Sequence, residues 1–230
     1  KKRKAVLFDL DNTLKHRKRS IYAFVEKFLV EYSHRLLQPK KSEIASIIIH
    51  SDNGGYLRQN SRFNSIKDLI CYTLLFQLEW AVRPPPDEIR EFWIEFMPKS
   101  SVPMDGVPEI LSKLKDLSFM VGVISNGAQG SRESVINALN IEGVIDILVS
   151  SGGIGIKKPD PKIFNFALKQ LGATASNTWF VGDHPINDII GPKNAGLRPI
   201  WLSGFHEWPQ DYERPQHTVG SLREILKIVY

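Results

Sequence analysis

The sequence predicts a doubly wound α/β domain, built on a parallel sheet and interrupted near its start by a helical insertion. Three observations carry that expectation. Short, nearly continuous apolar runs recur along the chain, helix-period patterns alternate with them, and the strand signal fades between the first run and Pro103.

The first run, Ala5-Val6-Leu7-Phe8, is apolar on both faces and ends in Asp9, as a central strand of a parallel sheet does. After it come helix-period patterns at Ile21-Phe24-Val25-Phe28-Leu29, Ile66-Leu69-Ile70-Leu74 and Ile89-Phe92-Trp93-Phe96. They are separated by Ser51-Asp52-Asn53-Gly54-Gly55 and by Pro84-Pro85-Pro86. This segment, residues 17–100, is assigned to a helical cap, and residues 1–16 with 101–230 to the sheet-bearing core. Further strands are expected at Met120 to Ile124, Ile145 to Val149, Trp179 to Val181 and Pro199 to Trp201. Val107, Ile110, Leu111, Leu114 and Leu117 mark one intervening helix, with Pro108 tolerated in its first turn. Asp160 caps another, opening at Pro161, whose apolar face is Ile163, Phe164, Ala167, Leu168 and Leu171.

The 230 residues are 42% hydrophobic and 24% charged, enough apolar material for a sizeable core. No apolar run approaches the roughly 20 residues a membrane span requires. A cytoplasmic setting is expected, because Lys1-Lys2-Arg3-Lys4 abuts the first strand with no room for a signal segment, and because the lone cysteine, Cys71, reads as a buried structural thiol. Of the basic residues, twelve fall at or before Lys41, against four acidic ones there. Such a bias attracts nucleic acid or an anionic substrate, although a solvated surface accounts for it as well.

In open α/β sheets ligands bind beyond the carboxyl ends of the strands. Polar residues stand at those ends in order: Asp9-Leu10-Asp11-Asn12-Thr13, Ser125-Asn126-Gly127, and Gly182-Asp183 with Asp188 close behind. Lys158 lies in a glycine-rich approach after the third strand. Carboxylates are hard oxygen ligands suited to Mg²⁺, while Ser, Asn and Lys supply hydrogen bonds and positive charge to phosphoryl oxygens.

With these residues in order, the sequence resembles the haloacid dehalogenase superfamily. The matching motifs are Phe8-Asp9-Leu10-Asp11-Asn12-Thr13-Leu14, Ile124-Ser125-Asn126-Gly127, Lys158-Pro159-Asp160-Pro161 and Val181-Gly182-Asp183-His184-Pro185-Ile186-Asn187-Asp188. The resemblance implies a Rossmann-like core with a type 1 helical cap, and hydrolysis of a small phosphomonoester through an aspartyl-phosphate. It makes Asp9 the nucleophile and a metal ligand, and Asp11 the acid/base that also lends the metal its backbone carbonyl. Ser125 and Asn126 bind the phosphate, Lys158 balances its charge, Asp183 is the second metal carboxylate, and Asp188 orients Lys158 or a metal-bound water. The implied cofactor is Mg²⁺ and the partner a small phosphorylated metabolite, with the chain a monomer or homodimer. Lys157 is expected to be solvated, because the motif lysine immediately precedes proline. His184 stands where the family more often has Ser or Thr. His16, His206, Trp201 and Trp208 stand in loops or at strand ends from which they could line the pocket, but packing or surface roles are expected for them; Arg58 and Arg62 could reach an anionic substrate, but surface roles are expected.

Three other chemistries compete with this one. A carbon–halogen hydrolase uses the same nucleophile but needs no proton for a halide, so Asp11 favours phosphoryl chemistry. A phosphomutase differs only in the acceptor. A non-catalytic nucleic-acid-binding module using Lys1 to Lys4 and Arg17 to Arg19 has no reason to keep several mutually repelling carboxylates.

Overall fold

The computed structural model describes residues 3–230, so Lys1 and Lys2 of the basic N-terminal run lie outside the described residues. The chain divides into two compact units, Lys1–Lys15 with Pro103–Tyr230, and His16–Val102.

The first unit carries a six-stranded, all-parallel sheet: β1 (Arg3–Phe8), β2 (Met120–Ser125), β3 (Ile147–Ser150), β4 (Ala173–Gly182), β5 (Arg198–Leu202) and β6 (Thr218–Val219), in the order β3-β2-β1-β4-β5-β6. The apolar run of β1 sits mid-sheet, and its alternate residues feed two cores. Val6 and Phe8 join Val121, Val123, Val181 and Ile200 on one face, whereas Ala5 and Leu7 join Phe164, Leu168 and Phe180 on the other. That is why the run is continuous rather than alternating. Burying side chains of this size contributes about 1.5–3 kcal/mol each.

The helices of this unit complete both layers. Helix α5 (Val107–Asp116) buries Val107, Ile110, Leu111 and Leu114. The helix at Pro161–Leu171 buries the five residues of its expected apolar face and is capped by the Asp160 carboxylate, which accepts from Lys162 N at 2.9 Å. Strand β4 starts at Ala173, well before the apolar signal at Trp179. Its early residues are small or polar and partly exposed, so they carry no hydrophobic pattern. Strand β6 is only two residues long, too short to show a period.

The second unit is helical: α1 (Arg17–Tyr32), α2 (Lys41–Asp52), α3 (Ile66–Gln77) and α4 (Pro86–Lys99). Its core gathers Phe24, Phe28, Tyr32, Ile70, Leu74 and Trp93, with Phe24 and Trp93 edge-on at 4.8 Å. His16 caps α1 through Nδ1, which accepts from Arg19 N. The Arg17 guanidinium makes a two-pronged ion pair with the buried Asp52 carboxylate at the end of α2, both bonds 2.7 Å. Cys71 is buried here, as expected. Among the described residues no helix is long and apolar enough to cross a membrane.

Candidate active site

Asp9 follows β1 directly, and its N–H donates to Val181 O of β4 at 2.9 Å. The next residues make a tight loop around Leu10 O, which accepts from Thr13, Leu14 and Lys15 N–H groups. Asn12 adopts φ 58° in that loop, a left-handed conformation Asn tolerates well. Leu10 and Leu14 anchor the loop in the core, leaving the polar residues between them for the site.

The loops after β2 and β3 bring in Lys158. The Asn126 side chain grips its peptide from both sides: Nδ2 donates to Lys158 O at 3.0 Å, and Oδ1 accepts from Lys158 N at 2.8 Å. Asn126 therefore positions the lysine, a job its assignment to phosphate binding did not include. Ser125, the last residue of β2, is buried. Lys157 is exposed, in contrast to buried Lys158.

Lys158 Nζ donates to Asp9 Oδ1 and to Asp188 Oδ1, both at 2.6 Å. The other Asp188 oxygen accepts from His184 N–H at 3.0 Å, so both of its oxygens are engaged by protein donors. Close approach of Asp188 to the strand depends on Gly182, where a Cβ would lie 2.4 Å from the Asp188 Cβ. Oxygens of Asp9, Asp183 and Asp188 lie within 4.8 Å of one another, and all three residues are buried.

Three buried carboxylates face one buried ammonium, and the electrostatics follow. Burial, then the Asp188 charge, push the Asp9 carboxyl up to about 7 despite Lys158 beside it. Burial also raises Asp183 and Asp188 above the ordinary carboxylate range. Lys158 is held above its usual value by Asp188 and Asp9, which outweigh its own desolvation. The set is short of positive charge and rich in oxygen donors, with no thiolate among them, which fits a hard divalent cation such as Mg²⁺.

Asp11 stands apart from this cluster. Its Oδ1 lies 3.0 Å from Lys15 Nζ and its Oδ2 3.3 Å from Arg132 Nη1, with its side chain still 19% exposed. Neither cation was singled out from the sequence. Lys15 sits four residues after Asp11, a spacing that could have flagged it, whereas Arg132 reaches the site only because its helix, α6 (Gln129–Ala138), begins just after Gly127.

The histidines also acquire definite places. His184 Nδ1 accepts from Ile186 and Asn187 N–H groups at 3.2 Å each, capping the turn that carries Asp188. Burial, with the charges of His206 and Lys158, lowers its pKa to about 4, so the imidazole stays neutral and able to accept. Of the two places open to His206, at the pocket or in packing and surface, the structure puts it beside the carboxylate cluster, its Nε2 3.3 Å from Asp183 Oδ2. Trp201 Nε1 donates to Asp183 O at 2.8 Å and so braces the same residue. Arg58 and Arg62 belong to the helical unit, where Arg58 donates to His50 O and Arg62 stacks on Tyr72, 4.6 Å from the ring centre.

The family model for the haloacid dehalogenase-like hydrolases matches residues 6–202. Pyrimidine 5'-nucleotidase YjjG of Escherichia coli (strain K12) is 31% identical over 153 residues, 65% of this chain and 68% of that protein. Glyceraldehyde 3-phosphate phosphatase of Pyrococcus furiosus is 25% identical over 242 aligned positions, covering 98% of this chain and 92% of that one. Among solved structures, the HAD-hydrolase YfnB from Bacillus subtilis bound to magnesium superposes with a TM-score of 0.75 at 17% identity, over 100% of this chain and 99% of its own. The 2-haloacid dehalogenase from Pseudomonas syringae pv. Tomato DC3000 does so with a TM-score of 0.64 at 25% identity, over 99% and 98%. With the family model covering most of its length and the four motif segments gathered at the carboxyl edge of the sheet, the chain belongs to the haloacid dehalogenase-like hydrolases.

Proposed function

We propose that this protein is a Mg²⁺-dependent phosphatase that hydrolyses a small phosphomonoester through a phosphoryl group carried on Asp9. The observation that carries this reading is the buried Lys158, bonded at 2.6 Å to both Asp9 and Asp188 at the head of the central strand. Such an ammonium keeps Asp9 ionised enough to attack and lies where charge builds on a transferring phosphoryl group. Relatives named as phosphatases support the same chemistry.

The Asp9 carboxylate attacks phosphorus and the ester oxygen departs. Asp11 gives that oxygen a proton, then takes one from the water that hydrolyses the acyl phosphate and restores Asp9. Asp11 lies within ion-pair distance of Lys15 and Arg132, which hold its side chain beside the head of the central strand. Ser125 and Lys158 hold the phosphoryl oxygens, while Asn126 fixes the lysine. Asp9, Asp183 and the backbone carbonyl of Asp11 would hold Mg²⁺, whose charge would offset the repulsion between phosphate and carboxylate. Asp188 is left to orient Lys158, both of its oxygens being occupied.

A haloacid dehalogenase is among the relatives, but a departing halide requires no acid, and Asp11 with its two cations would then be idle. Nucleic-acid binding loses Arg17, which is committed to Asp52 inside the helical unit. The test is hydrolysis of p-nitrophenyl phosphate with Mg²⁺, coupled to acid-quench mass spectrometry for a phosphate adduct on Asp9. Activity that persists after exhaustive chelation, or in Asp9→Asn, overturns the proposal.

A further inference from the structure

A cavity in the sheet-bearing unit opens around Trp179 and Arg198, and its origin is topological. Strand β6 pairs with β5 only at Trp201 and Leu202, so the lower half of β5, from Arg198 to Ile200, has no strand on its outer side. The chain leading into β6, through Arg214 to His217, runs alongside and leaves about 520 Å³ between. Trp179, on the neighbouring strand, is four residues before Asp183, which puts it about 13 Å from the carboxyl edge of the sheet.

Two chemistries meet in this cavity. Lys193, Arg198 and Arg214 line it, all exposed, and among the described residues none of them has an ion-pair partner. Like-charged side chains gathered around one opening repel one another, and an anion relieves that repulsion. The Arg198 guanidinium is held 5.3 Å over the Trp179 ring, so one of the three is preorganised. Ile189, Ile190, Leu197 and Pro215 contribute apolar lining, with the His217 ring edge-on to Trp179 at 5.3 Å. Glu213 is the single acidic lining residue. The volume falls in the range of roughly 300–1,000 Å³ typical of small-molecule sites and far exceeds what a bare phosphate ion fills.

We propose that this cavity is a binding site, separate from the hydrolytic one, for a nucleoside phosphate: the phosphates engage Arg198, Arg214 and Lys193, and the flat base lies against the apolar lining beside Trp179 and His217. Both halves of the ligand are needed, because the cations recognise only the charge and the apolar lining only the ring.

Calorimetric titration of ADP into the whole protein in EDTA tests this, since the metal-free carboxylate cluster repels phosphate and silences the hydrolytic site. The expected result is one ADP per chain, with inorganic phosphate and adenosine each at least about tenfold weaker. Arg198→Glu with Arg214→Glu should weaken ADP by about a hundredfold while thermal melting and circular dichroism stay as in the parent. Should that pair fail to fold, Lys193→Glu alone should weaken ADP by about tenfold. Absence of ADP binding at about 1 mM, equal binding of phosphate or adenosine, or unchanged affinity in the charge-reversed variants overturns the proposal.

Discussion

Replacing Lys158 by Met removes the only buried ammonium among the described residues of the carboxylate cluster, yet keeps an unbranched stem of similar length against the Phe180 ring. Two ion pairs at 2.6 Å disappear. At an effective dielectric of about 20, each is worth about 6 kcal/mol of gross Coulomb attraction. Relief from desolvating the ammonium returns much of that, and breaking a buried pair typically costs a net ~3–5 kcal/mol. The expected outcome in EDTA is therefore a loss of about 3–5 kcal/mol in urea unfolding, since Asp9, Asp183 and Asp188 are left facing one another. Saturating Mg²⁺ should rescue the variant by more than it stabilises the parent, because a cation gains more in the more negative site. In hydrolysis of p-nitrophenyl phosphate, kcat/KM should fall by about a hundredfold or more. Lys157→Ala, at an exposed position, should be nearly silent in both assays. Parent-like stability in EDTA, or Lys157 proving the more sensitive position, would refute the charge balance argued for this cluster.

In Asp11→Asn, transfer to Asp9 should survive better with p-nitrophenyl phosphate, whose leaving group needs no proton, than with a sugar phosphate. A burst of nitrophenol with phosphate retained on the protein is expected, and wild-type turnover of both substrates would make Asp11 structural. Gly182→Ala places a methyl 2.4–2.6 Å from Asp188 atoms, so it should cost about 1–3 kcal/mol in urea unfolding and lower activity together; an unchanged variant would mean that Asp188 yields freely. Cys71 is 7% exposed, and burial pushes its thiol up to about 11, so iodoacetamide labelling at pH 8 should be far slower in the folded protein than in urea. Because the folded thiol titrates higher than the unfolded one, its contribution to stability is complete below pH 9 and disappears as pH rises through 11. Rapid labelling without denaturant would place Cys71 outside the core.

Local pattern determined much of this protein. A strand covered on both faces must be apolar at successive residues, so Ala5 to Phe8 could be placed in the sheet from composition alone, and the carboxylates directly after such runs had to emerge at one edge of it. The Pro161–Leu171 helix was legible because its cap and its period agree. Beyond the reach of pattern were the contacts that depend on where loops travel. Arg132 meets Asp11, His206 meets Asp183 and Asn126 clasps the Lys158 peptide only once the sheet order has put distant segments side by side. The small and polar start of β4 and the two residues of β6 had no periodicity to betray them. Those weakly patterned segments decide where the sheet is left uncovered, and so where the cavity around Trp179 and Arg198 opens: side-chain alternation records burial, whereas pairing partners are settled by backbone hydrogen bonds that every residue type can make.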